Sequence, residues 1–283
     1  MIPPVDALPD RFEPAVAPPG LDPEKIARAA LLAPDRVEVV DTIASTSTEL
    51  MSRTGSEPPG TVRVLVAQRQ LAGRGRQGRV FLSDPEDSLT FSIALERRRA
   101  PGTPPLVGLP LALGVAVARC AAGHVDGIGL KWPNDLLRQG RKCAGMLVEA
   151  RASATQERVV IGLGVNLRLS SSIAARLDQP VTGLFDDAAT APPREALIGE
   201  LARALIDAAE EFFVRGFGDT AAHWAPFDAF AGRDVNILEG GRIILSGRAA
   251  GLDPTGALRL QTPSGVVAVA AGDVSARAAD PAR

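Results

Sequence analysis

The sequence predicts a larger mixed α/β domain followed by a small all-β domain. Three observations carry this expectation. Between Arg36 and Gly216, β-rich runs alternate with helical patterns; after Trp224 the texture changes to short β-like runs punctuated by EGG, DPTG and PSG turns. The third is length, since 283 residues suffice for about two domains. Hydrophobic residues make up 46% of the chain and mean hydropathy is +0.09, so a real core can be buried and general disorder is excluded.

Taken in order, residues 1–35 carry Pro3, Pro4, Pro9, Pro14, Pro18, Pro19, Pro23 and Pro34. Proline fixes φ and removes a backbone donor, so this segment is expected to be an arm, extended over the body or partly mobile. It lacks the helical periodicity of a helix-turn-helix module. Residues 37–40 read as a strand, and Thr46-Ser47-Thr48-Glu49 fits a capping box opening a short helix. Residues 62–67 are β-rich, and residues 90–95 alternate like a half-buried strand. Residues 106–122 suit a buried helix, with Leu106, Leu109, Leu113 and Val117 at helical spacing. Two strands are expected over 146–150 and 159–169, joined by the polar stretch 151–158. A long amphipathic helix over 194–216 places Leu197, Leu201 and Leu205 on one face. The runs 235–238, 242–246, 257–261 and 266–270 suggest a small β-barrel. The expected organisation is an arm over 1–35, an α/β domain over 36–227 and a β domain over 228–283.

Charge and rare residues exclude several classes. Thirty-one basic against 33 acidic residues leave a net charge of −2, without the global basic footprint of a nucleic-acid binder. Two cysteines, Cys120 and Cys143, cannot build a disulfide framework, and with only His124 and His223 there is no Cys/His zinc spacing. No metal site is expected, and the thiols read as reduced, in a cytoplasmic protein. The N-terminus has no basic stretch followed by an unbroken apolar run, so no export signal is expected. The most apolar stretch, 106–122, is interrupted by Pro110 and Arg119 and falls short of the ~20 residues a membrane span needs.

Four segments carry chemistry. Gly73-Arg74-Gly75-Arg76-Gln77-Gly78-Arg79 contains the GxGxxG spacing of a dinucleotide-binding turn. That turn requires a helix at its third glycine, whereas Gly78 runs into RVFLSDPEDS, and three arginines would oppose a positive helix end. The segment reads better as a loop whose guanidinium groups can clamp phosphate or carboxylate oxygens; a solvated basic loop is the competing reading. Lys131-Trp132-Pro133-Asn134-Asp135 offers a cation, an amide and a carboxylate around a Trp-Pro turn, with Trp132 equally suited to anchoring a core. Further on, Lys142 opens the apolar run KCAGMLVE, where it either neutralises an anion in a cavity or snorkels to solvent. Ser45-Thr46-Ser47 stands at a helix start, where hydroxyls ordinarily cap. The glycines of Gly162-Leu163-Gly164-Val165-Asn166 let a flat ligand or another backbone approach a strand.

In order and spacing these segments resemble the motifs of bacterial biotin–protein ligases (biotin–[acetyl-CoA-carboxylase] ligases), in the form without an N-terminal DNA-binding domain. The family pattern runs STN, Q-x-A-G-R-G-R-x-G-R-x-W, K-W-P-N-D, K-x-x-G-[IM]-L-V-E and G-[IL]-G-[IV]-N; this chain has STS, QLAGRGRQGRVF, KWPND, KCAGMLVE and GLGVN. GRDV, SGRAAGLDPTGALRL and GDVSAR extend the likeness to the family's SH3-like C-terminal domain. The resemblance implies an α+β fold, with a biotin/lipoyl-ligase-like central mixed sheet flanked by helices and a small SH3-like β-barrel. It implies that Ser45, Thr46, Ser47, Gln70, Arg74, Gly75, Arg76, Lys142 and Gly145 surround biotin. Arg76, Arg79, Phe81, Lys131, Trp132, Asn134, Asp135 and Asn166 fall on the ATP and adenylate side, and Arg76 and Lys142 on the catalytic positions. Two residues depart from the pattern: Ser47 stands where the family has asparagine, and Phe81 where it has tryptophan.

The activity so implied has two steps. The biotin carboxylate attacks the α-phosphorus of ATP, with Mg²⁺ carried on the nucleotide, giving biotinyl-5′-AMP and pyrophosphate. A lysine of a biotin-carrier domain, such as that of acetyl-CoA carboxylase, then takes the biotinyl group. No Ser/His/Asp or Cys/His set stands out, and this chemistry needs none. A lipoate ligase or lipoyl transferase is the nearest rival, against which KWPND and GRGRxGR argue. A biotin-responsive repressor is disfavoured by the proline-rich first 35 residues, and a non-catalytic biotin-binding module would bind without ATP turnover. No nucleic-acid or membrane partner is expected, and a homodimer is left open.

Overall fold

The computed structural model describes residues 20–53, 57–78, 80–169, 180–188, 190–272 and 274–279. Most of the proline-rich segment and Arg79 therefore lie outside the described residues. Strands β1 (Val37–Ile43), β2 (Val62–Gln70), β3 (Ser88–Arg98), β4 (Ile128–Lys131), β5 (Asp135–Arg138), β6 (Arg141–Ala152) and β7 (Gln156–Asn166) form one sheet in the order β1-β2-β3-β7-β6-β5-β4. β1 and β2 pair in parallel, joined through helix α2 (Thr46–Ser52), and the other pairs are antiparallel. The sheet is mixed, as expected.

Side-chain alternation explains how the sheet is covered. Val64, Val66, Ile93, Leu95, Val159 and Ile161 join the large core beneath α1 (Pro23–Ala29), α3 (Leu109–Ala122) and α4 (Arg194–Arg215). Their neighbours Leu65, Ala94 and Val160 point the other way and meet Leu50 of α2 in a second, smaller cluster. β3 is thus buried on both faces except at its last residue, where the sequence suggested a half-buried strand. Its alternation of large and small residues reflects two cores of different depth, not core and solvent.

Two further expectations are corrected. Residues 23–29 are helix, not extended arm: Pro23 occupies the first turn, the Asp22 carboxylate accepts from the Glu24 and Lys25 amides, and Ile26 and Ala27 are buried. A proline at the first helical position favours a helix start, because its missing N–H would have had no partner there. Gly199 admits α1 to α4 so closely that a Cβ at that position would lie 2.3 Å from the Ala29 Cβ. The cap of α2 is Ser45, one residue before the predicted box, with the Thr48 amide donating to its Oγ at 3.4 Å.

After the short helix α5 (Thr220–Trp224) come β8 (Asp234–Glu239), β9 (Arg242–Leu252), β10 (Leu258–Thr262), β11 (Gly265–Val269) and β12 (Val274–Ala278). They form an antiparallel sheet in the order β11-β10-β9-β8-β12. Val235, Ile237, Ala249, Leu258, Leu260 and Ala276 belong to the same apolar cluster as the larger domain's core. Among the described residues, no helix is long and apolar enough to cross a membrane.

Candidate active site

The cleft opens on the α2 side of the sheet, where the strands carry small residues. Ser92 on β3 and Gly162 and Gly164 on β7 leave room beyond the first turn of α2. The helix is held at both ends. Ser45 caps its start, while Arg158, braced by Glu96 at 2.5 Å, donates to the carbonyls of Leu50 and Arg53 at its far end. Thr46 and Ser47 are thereby fixed over β3. The Gln70 Oε1 accepts from the Thr46 amide at 2.8 Å and the Thr46 hydroxyl at 3.0 Å. Ser92 Oγ lies 2.7 Å from Thr46 Oγ1 and 2.9 Å from Ser47 Oγ. A Cβ on Gly162 would sit 2.4 Å from Ser47 Oγ, so this glycine is the seat of Ser47.

The other end of the cleft is cationic. KWPND is the tight connection between β4 and β5, which sets Lys131 directly opposite Asp135. The Asp135 carboxylate faces Lys142 Nζ at 2.6 Å and Lys131 Nζ at 3.7 Å. Lys142 reaches it because the pairing of β5 with β6 shifts register, with Leu136 opposite Ala144 and Leu137 opposite Lys142, leaving Cys143 bulged. Gly145 clears the way, since a Cβ there would stand 3.2 Å from Lys142 Nζ. Lys142 lines the cleft, ion-paired with Asp135. Trp132 is buried and donates from Nε1 to the Gly256 carbonyl at 3.2 Å, so it anchors the second sheet as well as lining the cleft.

The arginine loop crosses the cleft without a following helix, as the sequence reading required. Its base is closed by the Phe81 amide donating to the Gly73 carbonyl at 2.9 Å, and by a bridge between Arg74 and Val80. Arg74 donates to Glu149 Oε1 at 3.2 Å. Arg76 donates to Asn134 Oδ1 at 3.1 Å and to the Gly272 carbonyl, tying the loop to both sheets. Asn134 is itself fixed, its Nδ2 donating to the Met146 carbonyl at 2.7 Å. The Phe81 ring lies on Gly164, where a Cβ would come within 2.4 Å of it. The glycines of GLGVN thus seat Phe81 and Ser47, two side chains of this chain, where the sequence suggested a flat ligand or a backbone.

The structure brings Ser45, Thr46, Ser47, Gln70, Arg74, Gly75, Arg76, Phe81, Lys131, Trp132, Asn134, Asp135, Lys142, Gly145 and Asn166 into this one cleft. Arg79 lies outside the described residues. Sequence reasoning missed Ser92, which sits in an apolar strand with no local motif, and Val274 and Ser275, which reach the cleft from the second sheet. It also missed that Glu200 of α4 meets His124 at 2.8 Å beside Cys120, well removed in sequence and outside the cleft lining.

A neutral pocket of hydroxyls and an amide at one end, with lysines and an arginine at the other, has the layout of a small-molecule site on a two-sheet frame. Residues 39–166 match the biotin/lipoate A/B protein ligase family, and residues 230–277 the biotin protein ligase C-terminal domain. The chain is 31% identical over 246 residues to the bifunctional ligase/repressor BirA of Escherichia coli (strain K12), covering 86% of this chain and 75% of that protein. It is 32% identical over 244 residues to the biotin–[acetyl-CoA-carboxylase] ligase of Mycobacterium tuberculosis, covering 84% and 88%. The solved biotin protein ligase from Aquifex aeolicus in complex with biotin and ATP matches with a TM-score of 0.70 at 25% identity, over 86% of this chain and 99% of that one. The chain belongs to the biotin protein ligase family and is a ligase.

Proposed function

We propose that the chain activates biotin as biotinyl-5′-AMP, releasing pyrophosphate, and transfers the biotinyl group to a lysine of a biotin-carrier domain such as that of acetyl-CoA carboxylase. The observation that carries this reading is the position of Lys142, which shares one cleft with the Gln70–Thr46–Ser47 pocket and Arg76. On this reading the ring system of biotin sits in the neutral pocket and its carboxylate runs toward Lys142. The carboxylate oxygen attacks the α-phosphorus in line, and negative charge grows on the phosphoryl oxygens. Lys142 and Arg76 are preorganised to stabilise that charge, while the closed arginine loop excludes water.

ATP occupies the side lined by Lys131, Asn134, Asp135 and Asn166, with Phe81 and Trp132 supplying aromatic surface. Mg²⁺ belongs to the nucleotide in this scheme. The Asp135 carboxylate already faces two lysine ammonium groups, which offer no lone pair to a metal ion, so no step is assigned to a protein-held metal. In the second step the carrier lysine amine attacks the mixed anhydride and AMP departs.

Transfer of labelled biotin to a carrier domain, with and without ATP, tests the reading. Label should appear on the carrier only with ATP, and lipoate should not replace biotin in driving pyrophosphate release. ATP-independent labelling, or equal turnover with lipoate, would overturn it.

A further inference from the structure

The hydroxyls in the neutral pocket form a chain whose proton order is determined. The Thr46 amide can only donate, so the Gln70 atom 2.8 Å from it is the carbonyl oxygen Oε1. That oxygen carries no hydrogen, so its 3.0 Å contact with Thr46 Oγ1 requires the Thr46 proton. Thr46 Oγ1 then has only lone pairs left, and its 2.7 Å contact with Ser92 Oγ requires the Ser92 proton. By the same step, the 2.9 Å contact between Ser92 and Ser47 requires the proton of Ser47. Ser92 is fully buried, so water cannot replace either bond, and Gly162 leaves Ser47 no room for a bulkier neighbour.

We infer that Ser92 is a positioning residue that takes up the Ser47 proton, so that Ser47 faces the ligand as an acceptor only and selects an N–H group there. This rests on the biotin reading above and deepens it. At one end of the chain Gln70 retains its Nε2 donors; at the other, Ser47 offers lone pairs. A cyclic urea, which presents a carbonyl oxygen and N–H groups on one edge, complements that order. The departure from the family's asparagine has a consequence here: a side-chain amide carries a donor and an acceptor together, whereas Ser47 with its proton committed carries an acceptor alone.

The test compares binding of biotin with its two cyclic carbamate analogues, each with one ureido N–H replaced by a ring oxygen, to the full chain. Wild type should bind one of the carbamates about tenfold or more weakly than biotin, because two acceptors would then face each other. Ser92→Ala should weaken biotin yet shrink that preference severalfold, since Ser47 can then turn its own proton onto the ring oxygen. Ser92→Thr, which keeps the hydroxyl, should retain the preference, and Ser47→Ala should remove it. If Ser92→Ala weakens biotin and both carbamates by the same factor, or if wild type does not discriminate between them, the inference is wrong. A wild-type chain that binds neither biotin nor the carbamates overturns the biotin reading itself.

Discussion

In a regular strand, residues three apart point to opposite faces, yet Lys142 and Gly145 meet on the same side of β6. The bulge at Cys143 supplies the extra residue, and with it the difference between a cavity lysine and a surface one. Lys142→Ala is expected to lower adenylate formation ~100-fold or more, read as pyrophosphate release, as for loss of a preorganised charge at a transition state. A change of only a few-fold would remove Lys142 from the chemistry. The cysteines carry the opposite expectation. Burial pushes the Cys143 thiol up to about 12 and, with the Glu200 carboxylate adding to it, the Cys120 thiol up to about 11. Thiolate is the reactive form, so near neutral pH iodoacetamide should leave both residues unmodified by mass spectrometry and transfer activity intact.

At the scale of elements, the cleft is built by segments that hold one another in place. The stretch 180–187 runs beside β6, where the Lys142 amide donates to the Pro180 carbonyl at 3.1 Å and the Thr182 amide to the Lys142 carbonyl at 2.9 Å. Asp186 ties this stretch together by accepting from the Gly183 amide at 2.7 Å, the Leu169 amide at 2.8 Å and the Thr182 hydroxyl at 2.9 Å. Partial desolvation alone would push its carboxyl up; these hydrogen bonds outweigh that and hold it below its ordinary value. A carboxyl depressed in the folded state contributes stability that is complete above its unfolded value and lost as pH falls through its folded one. Asp186→Asn should therefore lower stability at neutral pH and flatten the acid limb of the denaturation profile. An unchanged acid limb would show that the carboxylate holds nothing there.

Across the whole molecule, the two sheets share a core and the cleft. Trp132 joins them through Gly256, Arg76 reaches Gly272, and β12 lends Val274 and Ser275 to the cleft wall. Calorimetry should accordingly give a single unfolding transition. Trp132→Phe leaves the Gly256 carbonyl without its donor and should lower that transition by about 1–2 kcal/mol while keeping it single. Two separate endotherms in the wild type would mean that the sheets unfold independently.

Much of this protein was determined by its sequence alone, because the decisive signals were local. The amphipathic spacing of Leu197, Leu201 and Leu205, the turns after Trp224 and the motifs from STS to GLGVN each depend on a few adjacent residues, and they sufficed for the two-part fold and for the candidate cleft residues. What required the tertiary structure was anything set by residues distant in the chain. Ser92 gains its role from Thr46 and Ser47 across a strand–helix contact, and the burial of β3 on both faces depends on α2 and α4 together. The close seating of the 23–29 helix on α4 depends on Gly199, far along the chain, and the direction of Lys142 on a single bulged pairing between β5 and β6. Periodicity reports which side chains want burial; only packing decides what they are buried against and where a lone polar group between them points.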